Sequence, residues 1–435
     1  MCRMKTKKLG SKIYPSKAER QYSVPFALFA LLAAAFFGPD AFGDAIITLH
    51  AFSDQLPGGG GMSPRAPLLQ GADGDFYGTT AGSFSGGSVF KMTSAGVETT
   101  LYSFTNGLDG DAPLSALVLG NDGNFYGTTS GLRSTNGGTV FKISPAGVLT
   151  TLCTFGGVKG SNIYAGLLPG GDGYFYGTAG AGGARNSGTF FQVSSNGVLS
   201  VLYTFTGLHD GKKPLGQLTD GGNGYFYGTT YSGGDSGAGT IFRITPGGSL
   251  TNLHTFSGGN DGSGPYAGLY LGGDGNFYGT TQFGGASGGG VAFKLTPAGA
   301  ITVLHSFTGN GEGEEPAGTL APGGDGNLYG TTVVGGANAV GTVFRLTPDG
   351  LLTTLYSFTG GGDGANPYTG LIPASDGKLY GTTASGALQG GGTVFRLVLP
   401  APFVTNVTSV NGTVNFTWNA SPGGGGVFRG IVSRD

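Results

Sequence analysis

A Tyr-Gly-Thr triplet, seen most fully in Asn276-Phe277-Tyr278-Gly279-Thr280-Thr281, occurs seven times in this chain, at Tyr77, Tyr126, Tyr176, Tyr227, Tyr278, Tyr329 and Tyr380. Successive copies lie 49, 50, 51, 51, 51 and 51 residues apart. A period near fifty restricts the fold to architectures built from one supersecondary unit, because such a unit cannot bury its apolar face alone and must stack on its neighbours.

Each period reads as four short strands. In the fifth unit, residues 268–271 form an apolar run and 272–275 a Gly-Gly-Asp-Gly turn. Residues 277–281 then form a second strand, 284–290 a glycine-rich loop, 291–296 a third strand and 301–307 a fourth after the Pro297-Ala298-Gly299 turn. Asp-Gly between apolar segments is a strong hairpin signal, since glycine accepts positive φ without steric cost. The 93 glycines among 435 residues discourage helix throughout and show no every-third-residue pattern; they alternate with Phe, Tyr, Val and Thr, which suit strands.

The order of the strands selects among stacked architectures. Third-strand phenylalanines stand at 90, 141, 191, 242, 293, 344 and 395, and fourth strands end in Phe52, Phe104, Phe155, Phe205, Phe256, Phe307 and Phe358. The fourth strands are displaced by one unit: residues 46–52 precede any Tyr-Gly-Thr copy, while the last third strand, 392–398, has no fourth strand after it. An open solenoid has no use for that offset, but a ring of four-stranded blades closes on it. The expectation is an all-β, seven-bladed β-propeller over residues 44–399, closed by an N-terminal strand that pairs residues 46–52 beside 392–398. First strands line the channel, where space is least. Small residues beside one leucine fit there, as in Ala116-Leu117, Gly166-Leu167, Gly268-Leu269 and Gly370-Leu371.

The two ends depart from the repeat. Residues 1–43 read as a signal peptide: seven basic residues precede an apolar run at 24–37, with small residues Ala41 and Gly43 following. That run is shorter than the roughly 20 residues of a membrane-spanning helix, so no transmembrane anchor is expected in the mature chain. Beyond residue 43 the chain holds 15 basic and 22 acidic groups, a formal charge of −7. It therefore lacks the basic face that nucleic-acid binding requires. Cys153 is the one cysteine after the leader and cannot form an internal disulfide. Residues 400–435 read as a short β stub, an incomplete sandwich-like segment with alternation at 403–410 and 413–418, Trp418 as a core candidate, and no pattern from 423 onward. The sequons at Asn406, Asn411, Asn415 and Asn419 are consistent with chance in a Thr-rich stretch.

The units, for example residues 353–358 through 376–382 to 392–397, resemble the GloVer tandem repeat of exported bacterial proteins, and the resemblance covers nearly all of 46–398. It implies export and, in many members, a C-terminal surface anchor; it implies no activity. No terminal apolar segment followed by basic residues closes this chain. Free secretion or truncation is therefore expected.

The candidate chemistry lies in the loops from each fourth strand to the next first strand. Asp109, Asp210, Asp261, Glu312 and Asp363 each precede a glycine there; Gly60 and Lys159 replace the acid in the remaining units, and Gly61, Gly110, Gly160, Gly211, Gly262, Gly313 and Gly364 are constant. An acidic ring at a channel mouth can hold a cation or a polar glycan. The competing reading is that the acid opens a turn by bonding the backbone two residues on, and turn chemistry explains both residue types. A second set, Asp73, Asp122, Asp172, Asp274, Asp325 and Asp376 with Asn223, matches no calcium-loop spacing and reads as hairpin turns. The basic residues after each third-strand Phe read as snorkelling stems with local partners. His50, His254 and His305 share a fourth-strand slot with Tyr102, Cys153, Tyr203 and Tyr356 that reads as packing, whereas His209 is unique to its loop and joins the candidate ligand residues.

No nucleophile–base pair, zinc spacing or phosphate loop stands out. The expected function is that of an exported, monomeric, non-enzymatic repeat protein, secreted or at the cell surface. It would use no cofactor and would bind a glycan or envelope protein through the propeller's loop face. The alternatives are a carbohydrate- or lactone-active propeller enzyme, which needs two or more ionisable groups converging at the channel mouth, and a passive surface module.

Overall fold

The computed structural model describes residues 46–53, 61–82, 86–132 and 137–399, together with the backbone of three strands beyond residue 400. The expected signal peptide lies outside the described residues. Seven antiparallel four-stranded sheets follow one another, each containing one Tyr-Gly-Thr copy, and they form the expected seven-bladed β-propeller. In the seventh blade the outer place is taken by Ile46–Ala51, which pairs antiparallel with Thr393–Leu397. The N-terminal strand thus closes the ring. Every pairing of third with outer strand carries a register shift at the same place, as between Val89 and Phe90 or Val343 and Phe344. The unpaired residue on the outer strand is a leucine, Leu101 and Leu355 in these two blades, and the bulge bends the strand there.

The core sits between blades. Each outer-strand phenylalanine meets the third-strand phenylalanine of the following blade edge-on, from Phe104–Phe141 at 5.3 Å between ring centroids to Phe358–Phe395 at 5.2 Å. The seam is the same: Phe52 lies 5.1 Å from Phe90, in a buried cluster with Leu68, Phe76, Met92, Tyr380 and Val394.

The repeated Tyr-Gly-Thr-Thr, which ends in Ala179 in blade 3, divides its work among its four residues. The tyrosine ring packs on the second-strand Phe of the next blade, as in Tyr77–Phe125 at 4.2 Å, Tyr227–Phe277 at 4.1 Å and, across the seam, Tyr380–Phe76 at 4.3 Å. Its hydroxyl donates to the turn acid four residues earlier, Tyr278 to Asp274 at 2.9 Å and Tyr176 to Asp172 at 2.6 Å; at blade 4 the Asn223 amide donates to Tyr227 instead. The glycine leaves room for the third-strand phenylalanine of its own blade: a Cβ on Gly330 would stand 2.4 Å from Phe344 Cζ. The first threonine donates to a carbonyl of the next blade's entry segment, Thr331 to Thr369 at 2.8 Å and Thr382 to Ala66 at 3.4 Å. The second threonine bonds the first residue of the third strand, as Thr332 does with Thr342 at 2.9 Å.

The turn acids therefore pin tyrosines, and several also hold the third-strand lysines: Lys91 reaches Asp73 and Lys294 reaches Asp274, each at 2.9 Å. The Lys294 ammonium, with Asn276 and Tyr278, holds the Asp274 carboxyl well below the usual carboxylate range. Lys91 does the same for Asp73. At Asp122, Asp325 and Asp376 burial pushes the carboxyl up, but hydrogen bonds from the residue two positions on and from the tyrosine outweigh it. A depressed carboxyl contributes stability above its unfolded value of about 3.9, and that contribution is lost as pH falls through the folded value. The thermal midpoint is expected to stay level from about pH 8 to about pH 5 and to fall steadily below about pH 4, less steeply in Asp274→Asn, as followed by calorimetry. A midpoint level down to about pH 2 counts against the assignment.

Two expectations need correction. The inner strands are only two residues long, Tyr270–Leu271 in blade 5 and Ile372–Pro373 in blade 7, instead of the four expected at 268–271. The small residues ahead of them lie against the neighbouring channel-wall backbone: a side chain on Gly370 would stand 2.1 Å from the Thr319 carbonyl oxygen, and one on Gly268 2.5 Å from that of Gln217. The carbonyls just before them, of Thr369 and Ala267, accept from the preceding blade's threonine, and the glycines lie outside the two-residue ladder of their own blade. Beyond the ring, Val404–Val410 pairs with Thr413–Trp418 as anticipated, but Phe428–Gly430 adds a third strand where no pattern was read.

Candidate functional site

The loops carrying the acids emerge at the same end of the blades as the loops between second and third strands, and the two sets hydrogen-bond through bridges such as Ser263–Phe283 and Ala365–Ser385. Each acid of the expected ring is held inside its own loop. The Asp109 carboxylate accepts from the Thr105 amide at 2.8 Å, the Thr105 hydroxyl at 2.7 Å, the Gly107 amide at 3.2 Å and the Tyr102 hydroxyl at 3.1 Å. Asp210 and Asp363 repeat the arrangement with Thr206 and Tyr203, and with Thr359 and Tyr356. Asp261 accepts from Ser257 and pairs with His254 Nε2 at 3.1 Å; Glu312 accepts from the Thr308 amide and pairs with His305 at 3.2 Å. At Asp109 and Asp261 burial pushes the carboxyl up, but these donors together outweigh it and hold it below the usual range.

The acids thus lock turns by reaching back four residues and to the end of the outer strand. The fourth-strand slot is correspondingly a donor position and not merely packing: all five acids face a Tyr or His seven residues earlier, whereas Lys159 goes with Cys153. That seven-residue pairing was readable in the repeat alignment. His209 stands highly exposed beside Asp235, which ties its loop to the neighbouring second-to-third-strand loop. Among the described residues, no group of three or more His, Cys, Asp or Glu is placed to hold a metal ion.

A different set of side chains converges. After each constant loop glycine, the second residue on adopts a left-handed backbone in every blade: Ser63, Ala112, Asn162, Lys213, Gly264, Glu315 and Asn366, with φ between 48° and 64°. Six of these are not glycine, a conformation that L residues adopt at a cost unless surroundings impose it. The imposition is visible, since each carbonyl accepts from the amide just after the repeated tetrapeptide, as Ala81 to Ser63 at 3.0 Å and Ala384 to Asn366 at 3.1 Å. A proline follows, or Ile163 in blade 3, and the next slot holds Arg65, Leu114, Tyr164, Leu215, Tyr266, Ala317 and Tyr368.

Five of these, Arg65, Leu114, Tyr164, Tyr266 and Tyr368, line one cavity of about 390 Å³ with Ser63, Ala81, Gly82, Ala112 and Leu132. Residues from blades 1, 2, 3, 5 and 7 can share one cavity only at the channel mouth. Arg65 Nε donates to Ser63 Oγ at 3.1 Å, and its guanidinium lies 4.8 Å from the centre of the Tyr368 ring. Tyr231 meets Tyr266 edge-on at 6.2 Å. Burial pushes the Tyr266 hydroxyl up to about 12 and also raises that of Tyr164, with Arg65 pulling both the other way. Both hydroxyls remain protonated donors at neutral pH. The slot was missed in the sequence, although its variation among Arg, Leu, Tyr and Ala, between a proline present in six of the seven units and a small residue, was the available signal.

Among solved structures, the extracellular domain of a protein described as a hybrid two-component system from B. thetaiotaomicron superposes with a TM-score of 0.54 at 10% identity. The match covers 86% of this chain and 45% of that one, so this chain spans less than half of that protein. Puromycin hydrolase matches with a TM-score of 0.49 at 13% identity over 82% and 58% of the two chains, and a 6-phosphogluconolactonase from Bacteroides uniformis with 0.45 at 16% over 66% and 83%. At such identities the likeness speaks for the fold alone. No curated protein matches this chain. The model of the Gloeobacter/Verrucomicrobia repeat matches residues 34–239 and again 218–434, spanning all seven blades. The chain therefore belongs to the Gloeobacter/Verrucomicrobia repeat family.

Proposed function

We propose that this protein is an exported, non-enzymatic binding propeller that captures a saccharide at the channel mouth of its loop face. The observation that carries the proposal is the convergence of Tyr164, Tyr266, Tyr368 and Arg65 from four different blades on one cavity. Aromatic rings offer apolar faces to the C–H face of a pyranose, while their hydroxyls satisfy the sugar's polar groups. A volume of about 390 Å³ falls within the roughly 300–1,000 Å³ usual for small-ligand pockets. The lining favours binding over catalysis, because of its ten residues only Arg65 is charged at neutral pH. A passive module has no need of such a ring.

Export rests on the basic and apolar character of residues 1–43. Among the described residues, no helix is long and apolar enough to cross a membrane. A ring closed by its own strand needs no second copy, which supports a monomer. Residues 400–435, with their separate three-stranded sheet, are proposed as a segment distinct from the ring at 44–399.

A glycan array followed by titration calorimetry tests the reading. The protein is expected to bind a subset of oligosaccharides. Replacing Tyr164, Tyr266 and Tyr368 together by Ala should weaken binding at least about 100-fold, about 1 kcal/mol or more per ring, with little change in thermal midpoint. Asp109→Asn and Asp363→Asn should leave binding intact. Undiminished binding in the triple variant would remove the channel mouth as the site.

A further inference from the structure

Resting on that reading, we infer that the saccharide held at the channel mouth is acidic, and that Arg65 receives its carboxylate. Arg65 occupies a slot that is apolar or tyrosyl in every other blade, so its charge is a departure from the repeat and not a requirement of the ring. Among the described residues it has no carboxylate partner: its one hydrogen bond goes to Ser63 Oγ, and its guanidinium stacks on Tyr368. By contrast, the third-strand lysines Lys91, Lys142 and Lys294 all pair with turn acids. Exposed on the cavity wall, Arg65 thus keeps free N–H groups in a body whose formal charge beyond residue 43 is negative.

A planar guanidinium held by stacking on one side and by a serine at Nε matches the two oxygens of a carboxylate, which a neutral sugar does not offer. Glu315 in the blade 6 loop exerts its charge on Tyr231 and lies outside the lining. A carboxylate on a pyranose sets the negative charge at the ring's edge while its C–H face stays free for Tyr266 and Tyr164. A uronic acid residue has both features, whereas an acidic peptide has only the first.

The test compares oligogalacturonates with their methyl esters, which keep the ring and lose the charge, using the intact protein. The acid form is expected to bind about 10- to 100-fold more tightly, the range of a hydrogen bond to a charged group, and Arg65→Gln should abolish that preference while its thermal midpoint stays unchanged. Binding of the esters as tight as of the acids, still lost in the triple tyrosine variant, overturns the carboxylate and leaves the saccharide site standing. Acid binding indifferent to Arg65→Gln and to the tyrosine substitutions overturns both. Equal competition by poly-glutamate overturns the sugar in favour of an acidic chain.

Discussion

Deletion of residues 46–52 is expected to lower the thermal midpoint by roughly 10 °C or more, or to prevent folding altogether. Ile46 and Phe52 are 4% and 1% exposed, and truncating a buried Ile and a buried Phe costs about 2–5 and 3–5 kcal/mol respectively. The deletion also strips the ladder from Thr393–Leu397 and the Phe52–Phe90 contact from the seam, so blades 7 and 1 lose the cluster that joins them. Deleting an end strand from an open stack would cost only that strand's own contacts. In a ring it opens the circle, so every other interface loses the constraint that closure imposed. A synthetic peptide of residues 46–53 added in trans should recover part of the lost midpoint, which a merely nonspecific destabilisation would not allow. An unchanged midpoint after deletion would sink the closure.

What the sequence made legible follows from what repeats. Seven copies of one Tyr-Gly-Thr triplet report packing that recurs at every interface, which is why the ring, its closure and the stabilising place of Tyr278 and its counterparts could be read without coordinates. The turn acids were also readable, because a local Asp-Gly pattern has a local cause. The candidate site was not, for a related reason. The acidic ring drew attention by recurring, yet recurrence there marks the same turn lock in five loops. The candidate site is built from a slot that does not recur in type, and its members lie about fifty or about a hundred residues apart. Their convergence depends on a left-handed residue whose conformation no side-chain pattern announces at Ser63, Ala112 or Glu315. The shortened inner strands were hidden similarly: the close approach of the Gly370 backbone to the Thr319 carbonyl is a contact between blades.

Gly330→Ala is expected to destabilise the protein by about 1–3 kcal/mol although it adds one methyl group and raises strand propensity. The backbone there is ordinary strand, so the cost is one of space. The new Cβ would stand 2.4 Å from Phe344 Cζ and 3.0 Å from both Phe344 Cε1 and Leu320 Cδ2. Phe344 is fully buried and cannot swing away, because Phe307 meets its ring edge-on at 5.2 Å and Leu328, Leu346 and Tyr278 fill the same cluster. A methyl elsewhere on the same ring behaves oppositely: Gly273, whose Cβ would meet nothing within 4 Å, should tolerate Ala with no loss and a gain of up to about 1 kcal/mol from the unfolded chain. The two are separated by chemical denaturation of the single variants. A double-mutant cycle then identifies the cause. With Phe344→Leu in place, the shorter side chain vacates the position of Cζ, so Gly330→Ala should cost at least about 1 kcal/mol less than it does alone. If the two costs simply add, the glycine is not there to admit the phenylalanine, and the tetrapeptide's recurrence needs another explanation.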